Sequence, residues 1–162
     1  MVTIITGKIN TNKTTRMIAH YQENQSGDGF VAVKNMIQDT VHSYDAMRLS
    51  TKEKRVLVKR DLFFEDDFTV LCSIGPYLFN DDTVVFIEKT IRACVKQNIS
   101  PIYMDEVGVL ELNDRCFHNL LSYLASKEID LVLSMREDLV DAIVKKYRFS
   151  PVEIIKTNGK GD

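Results

Sequence analysis

The 162-residue chain predicts an α/β fold: a mostly parallel sheet flanked by helices, with an antiparallel hairpin excursion around residues 30–70. Three observations predict it. A short β-branched run, "VTIIT" (2–6), passes straight into a polar loop and then an amphipathic segment. From residue 80 onward, segments with a period near 3.6 alternate with short continuous apolar runs. Between these parts lie strand-like stretches separated by charged turns. Regular alternation of the first kind argues for parallel strands joined by crossover helices.

Taken in order, "VTIIT" reads as a buried strand because it is short, apolar and β-branched. "KTTRMIAHYQEN" (13–24) reads as a helix with Met17, Ile18 and Tyr21 on one side, and "QSGDG" (25–29) breaks it. "FVAV", "DTVHSYDAMRL" and "RVLVKRDLFF" read as antiparallel strands divided by turns such as "STKEKR". "NDDTVVFIEKTIRACVKQN" (80–98) returns to helical spacing through Val84, Ile87, Ile91, Cys94 and Val95. Asp81 and Asp82 are placed to cap it. Strand "PIYMD" (101–105), helix 113–128, strand "DLVLSM" (130–135), helix 136–147 and strand "PVEII" (151–155) complete the alternation. No repeat or Pro/Gly-rich linker interrupts the chain, so a single domain over 1–162 is expected, with a flexible tail at 157–162.

Composition narrows the classes. Apolar residues are 44% and charged residues 27%, an ordinary globular balance. A net charge of −2 gives no global field to favour nucleic acid or a membrane surface. No apolar run reaches the roughly 18–20 residues that span a bilayer, and the N-terminus lacks the pattern of a signal peptide. Cys72, Cys94 and Cys116 show no paired spacing, which fits reduced thiols and a cytoplasmic setting. His20, His42 and His118 have no metal-ligand spacing and read as packing or surface residues.

In an α/β sheet, ligands bind beyond the carboxyl ends of the strands. Two segments there carry chemistry. "GKINTNKTT" (7–15) approximates the phosphate-binding loop G-x-x-x-x-G-K-[ST], with Asn12 at the second glycine. Such a loop turns its N–H groups inward around a polyphosphate, and the following helix adds its positive end. Gly7, Lys8, Ile9, Asn10, Thr11, Asn12, Lys13, Thr14 and Thr15 are the candidate nucleotide-binding residues. Lys13 would reach the β- and γ-phosphates, Thr14 would bind Mg²⁺, and Thr15 would donate to the α-phosphate. Lys8 adds a second cation or faces water. Ile9 and Asn10 make the loop less permissive than glycines would. Asn12 departs from the motif, although Asn is the residue that best tolerates positive φ after glycine.

The second segment, "YMDEVGVLEL" (103–112), ends a strand in two carboxylates. Asp105 is placed to support Mg²⁺, and Glu106 to orient or deprotonate an attacking water. Glu111 could contact substrate, cap the next helix or pair with a cation. Beyond the 130–135 strand, "SMRED" offers Ser134 and Arg136. Arg136 would stabilise γ-phosphate charge or form a surface ion pair.

Four pieces, "ITGKINTNKTT", "SIGPYLF", "YMDEVGVLEL" and "MREDLVDAIVKKY", together resemble the nucleoside-triphosphatase family first known from thermophiles, the cancer-related nucleoside-triphosphatase type. The resemblance spans about residues 3–155. Its most specific piece is the Asp-Glu-x-Gly-x-x-Glu-Leu run, matched at 105–112. It implies a RecA-like P-loop core and Mg²⁺-dependent hydrolysis of nucleoside 5′-triphosphates, ATP and GTP among them, to diphosphates. It also implies that Glu106 is the water-activating acid. The family has glycine at position 12, so Asn12 raises a question about rate and affinity. Two other readings stay open: a small phosphotransferase and a weakly hydrolysing nucleotide-binding regulatory module. Lys52, Lys54, Arg55, Lys59 and Arg60 form a basic segment that reads as a solvated hairpin or a lid. Tyr44, Tyr77 and Tyr103 read as buried tyrosines or as stacking platforms for a base. Oligomeric state leaves no mark in the sequence.

Overall fold

A computed structural model describes residues 1–157. One nine-stranded sheet carries the fold. Its strands are β1 (Val2–Gly7), β2 (Asp28–Ile37), β3 (Thr40–Arg48), β4 (Lys54–Arg60), β5 (Val70–Ile74), β6 (Tyr77–Asn80), β7 (Ile102–Met104), β8 (Leu131–Arg136) and β9 (Val152–Lys156). Their order across the sheet is β5-β6-β4-β3-β2-β7-β8-β1-β9. The helices are α1 (Lys13–Asn24), α2 (Asp81–Lys96), α3 (Val109–Leu112), α4 (His118–Ala125) and α5 (Val140–Tyr147).

Alternation along each strand makes two cores, because successive side chains point to opposite faces. Ile4, Phe30, Met104 and Leu133 face one way and pack with Ile87, Ile91, Leu120, Leu124 and Ile143 of α2, α4 and α5. Their chain neighbours Ile5, Val31, Tyr103 and Val132 face the other way and pack with Met17 of α1. The sheet therefore lies between helices. The predicted face of α2 is buried at Val84, Ile87, Ile91 and Cys94. Its cap is Asn80 rather than Asp81 or Asp82: the Asn80 side chain accepts from the Asp82 N–H at 3.1 Å.

The α/β class with an antiparallel excursion is as expected, but the excursion is larger. It runs from Asp28 to Asn80 and adds β5 and β6, so the sheet has as many antiparallel pairings as parallel ones. Residues 61–63, read as part of a strand, form a 3-10 turn. The helix expected over 113–128 is shorter and is preceded by the single-turn α3. Residues 136–139 are the end of β8 followed by another 3-10 turn, and α5 starts only at Val140.

The parallel register sets the site. Gly7 pairs with Arg136, and Met104 pairs with Leu133. The carboxyl ends of β1, β7 and β8 thus finish along one edge. β2 does not finish there. It pairs with β7 over Asp28, Gly29 and Phe30, ending at Phe30↔Met104, and then runs on to Ile37 with β3 as its strand partner. An antiparallel arm rises past the edge.

Candidate active site

β1 ends at Gly7 and α1 begins at Lys13, so residues 8–12 turn the chain from strand to helix. Two asparagines make the turn possible. Asn10 has φ 61° and Asn12 φ 59°, left-handed values that Asn adopts more readily than other side-chain-bearing residues. The Asn12 carbonyl accepts from the Arg16 N–H at 3.0 Å, the first bond of α1. The Lys8 carbonyl is wrapped from inside the loop: it accepts from Thr11 Oγ1 at 2.8 Å and from Lys13 Nζ at 3.0 Å. Lys13 is only 5% exposed. Lys8, Ile9 and Asn10 form the exposed rim, and Thr15 faces outward from α1.

Gly7 is required by its neighbours rather than by its own dihedrals. A Cβ there would overlap both Thr157 Oγ1 and Thr11 Oγ1. Those two hydroxyls share a 2.7 Å hydrogen bond, and the Thr157 N–H donates to the Thr6 carbonyl at 2.8 Å. Thr157, assigned from sequence to the tail, therefore braces the loop from behind. The rest of that expected tail lies outside the described residues.

Across the sheet edge, Asp105 is held from three directions. Thr14 Oγ1 donates to its Oδ2 at 2.6 Å, and the Ala32 N–H donates to the same oxygen at 2.9 Å. Ser134 Oγ donates to Oδ1. Ser134 is fully buried, and it also fixes the turn that follows. Its Oγ accepts from the Glu106 N–H at 2.8 Å, and its carbonyl accepts from the Val107 N–H at 2.9 Å. Glu106 itself has φ 59°. A left-handed glutamate costs about 1–3 kcal/mol and persists only where the surroundings over-determine it. Here Ser134 does so.

The Glu106 side chain is exposed at the sheet edge. Neighbouring groups nonetheless withdraw water from it, and this desolvation pushes its carboxyl pKa up, followed by the Asp105 charge. Lys13, Lys34 and Arg136 oppose the rise. Arg136 lies at the end of β8 and is also paired with Asp138 at 3.2 Å. Glu111 caps rather than projects. Its two oxygens accept from the Gly108 N–H at 2.8 Å and the Phe117 N–H at 3.3 Å, and it is 4% exposed. Burial, first among the causes, holds its carboxyl above the usual range.

The donor set at the loop-acid junction is one hydroxyl and one carboxylate, Thr14 and Asp105. Among the described residues no group of three His, Cys, Asp or Glu is placed to cage a metal. Two hard oxygen donors fit Mg²⁺, which usually keeps several waters and takes its remaining ligands from phosphate.

The structure thus brings Gly7, Thr11, Lys13, Thr14, Asp105, Glu106 and Arg136 to one edge. It leaves Lys8, Ile9, Asn10 and Thr15 on the rim and turns Glu111 inward. Sequence reading underweighted Ser134, whose signal was a single hydroxyl inside "LVLSM". It missed the Ala32 N–H and Thr157, which reach the site only through strand register. The basic segment is partly engaged elsewhere: Arg55 stacks over Phe86 at 3.5 Å, and Lys59 pairs with Asp67 at 3.0 Å. Tyr103 is buried against His20 and Tyr21. Among the described residues no helix is long and apolar enough to cross a membrane.

A family model described as NTPase matches residues 2–160. Two solved structures share the fold. The crystal structure of THEP1 from the hyperthermophile Aquifex aeolicus superposes with a TM-score of 0.67 at 21% identity, covering 98% of this chain and 90% of that one. The solution structure of a human cancer-related nucleoside triphosphatase superposes with a TM-score of 0.61 at 15% identity, covering 98% and 89%. No curated protein sequence matches.

Proposed function

The chain belongs to the NTPase family, and on that premise we propose that it hydrolyses nucleoside 5′-triphosphates to diphosphate and phosphate in the presence of Mg²⁺. The observation that carries the reading is the junction of Thr14 with Asp105 at 2.6 Å, with Glu106 next in the chain. A phosphate loop, a metal-side acid and a carboxylate able to take a proton meet at one sheet edge.

The loop N–H groups of residues 8–14 and the amino end of α1 hold the β- and γ-phosphates. Lys13 exchanges its contact with the Lys8 carbonyl for phosphate oxygens. Thr14 and Asp105 would hold Mg²⁺, and the ion would supply neutralisation of phosphate charge. Glu106 orients a water and accepts its proton as the water oxygen bonds to the γ-phosphorus. The bond to the bridging oxygen breaks, and the diphosphate leaves. The upward displacement of the Glu106 carboxyl brings it closer to the range where a base works near neutral pH. Ser134 and Ala32 keep Asp105 aimed at Thr14. Arg136 favours negative charge at the edge, as Lys13 does. The reading places a single nucleotide-binding domain in the cytoplasm.

A phosphate-release panel over the common nucleoside triphosphates, with and without Mg²⁺, tests it. Release that needs Mg²⁺ and no added acceptor supports hydrolysis. Release only with an acceptor hydroxyl would make it a phosphotransferase. Tight binding with negligible release would make it a regulatory module.

A further inference from the structure

The part of the site with no sequence signal is the antiparallel arm. β2 leaves β7 at Phe30↔Met104, and two residues later the Ala32 N–H reaches Asp105 Oδ2 at 2.9 Å. Two residues beyond that, about 7 Å further along the strand, stands Lys34. Alternation puts Lys34 on the same face as Phe30 and Ala32, and Phe30 packs into the α2, α4 and α5 core. Its cross-strand partner is Tyr44, which packs at the edge of that core and edge-on to Tyr77 at 6.0 Å. In the sheet order β2-β7-β8, Lys34 and Arg136 therefore flank the end of β7 from opposite sides.

We propose that Lys34 is a further catalytic residue of this site, a cation that contacts the terminal phosphate from the arm, opposite Arg136. The inference rests on the triphosphatase reading above. Three observations support it. Among the described residues Lys34 forms no ion pair, whereas Lys59 and Lys146 each hold a carboxylate. The strand that carries it is fixed against the acid, because the Ala32 N–H two residues earlier bonds Asp105 Oδ2 at 2.9 Å. Tyr44 beside it is kept as the neutral phenol by burial, then by Tyr77 and Glu106, so it does not neutralise the ammonium. A lysine on an exposed strand is ordinarily solvated and worth little. This one is carried past the parallel edge by an arm paired with β3, on the side of β7 away from β8. Negative charge spreads over the transferring phosphoryl oxygens, and a fixed cation there lowers the barrier more than it strengthens binding.

Steady-state phosphate release with MgATP and MgGTP, on wild type, Lys34→Met, Lys34→Arg and the α5 surface control Lys145→Met, tests it. Lys34→Met should lower kcat about tenfold or more with KM changed less than about threefold. Lys34→Arg should recover most of the rate, and Lys145→Met should match wild type. The proposal is overturned if Lys34→Met keeps wild-type kcat, if only KM moves, or if Lys145→Met loses as much. Absence of release from wild type would overturn the triphosphatase reading and this inference together. A normal wild type beside an unaffected Lys34→Met would remove this inference alone. Thermal unfolding of each variant confirms that the exposed substitution leaves the fold intact.

Discussion

Thr14 Oγ1 donates to Asp105 Oδ2 at 2.6 Å, joining residues that are 91 apart in the chain. One lies in the first turn of α1, the other just past β7, and β8 runs between their strands. The contact exists because the carboxyl ends of β1, β7 and β8 finish in register. It turns two separate motifs into one site.

Gly7→Ala should disrupt the loop. The added Cβ overlaps the hydroxyls of Thr11 and Thr157, which bond to each other at 2.7 Å. Overpacking of this kind costs about 1–3 kcal/mol. Urea unfolding should show that loss, and calorimetry should show at least tenfold weaker nucleotide binding. Adding Thr157→Ala should recover part of both, since it removes one of the overlapping atoms.

Ser134→Ala should cost about 1–3 kcal/mol, the penalty for stranding buried partners. Asp105 Oδ1 loses a donor and the Glu106 N–H loses its acceptor. Turnover should fall together with stability, because the left-handed turn at Glu106 depends on this hydroxyl. Denaturation midpoints and phosphate release, measured on one preparation, check both.

Glu111 makes stability depend on pH. Burial raises its carboxyl pKa above the unfolded value, so the folded state holds that proton more tightly than the unfolded chain. Its contribution is full below about pH 4, near the unfolded pKa. The contribution is lost as pH rises through the folded pKa. Glu111→Gln carries no such proton. The unfolding free energy of this variant minus that of wild type should therefore increase from pH 4 upward, as read by urea titrations at several pH values. A constant difference would show that the capping carboxylate is not strained by its burial.

Much of the strand-loop-helix unit was legible in the sequence. "VTIIT" and "KTTRMIAHYQEN" gave β1 and α1 because local pattern and tertiary burial agree there. Asn12 was the doubtful residue, and its φ of 59° is one that asparagine tolerates. β5 and β6 were not legible: "VLCSI" and "YLFN" are short and joined by Gly75 and Pro76, and their strand character comes from pairing with each other and with β4. Residues 61–63 looked extended because Leu62 and Phe63 are apolar, yet Leu62 is 70% exposed in a turn. Ser134 was visible as a residue but not as a brace, since nothing in its neighbours reveals that it meets Asp105. The Ala32 N–H and Thr157 enter the site through the register of β2 against β7 and of β9 against β1, which one sequence does not display.

Glu106→Gln tests the central claim most directly. The variant keeps the side chain's shape and removes the oxygen that takes the proton. Paired calorimetry and phosphate release with MgATP should show binding within about threefold of wild type and turnover lower by about 100-fold or more. Turnover at the wild-type rate would contradict the account, because the carboxylate beside the Thr14–Asp105 junction would then not be the base.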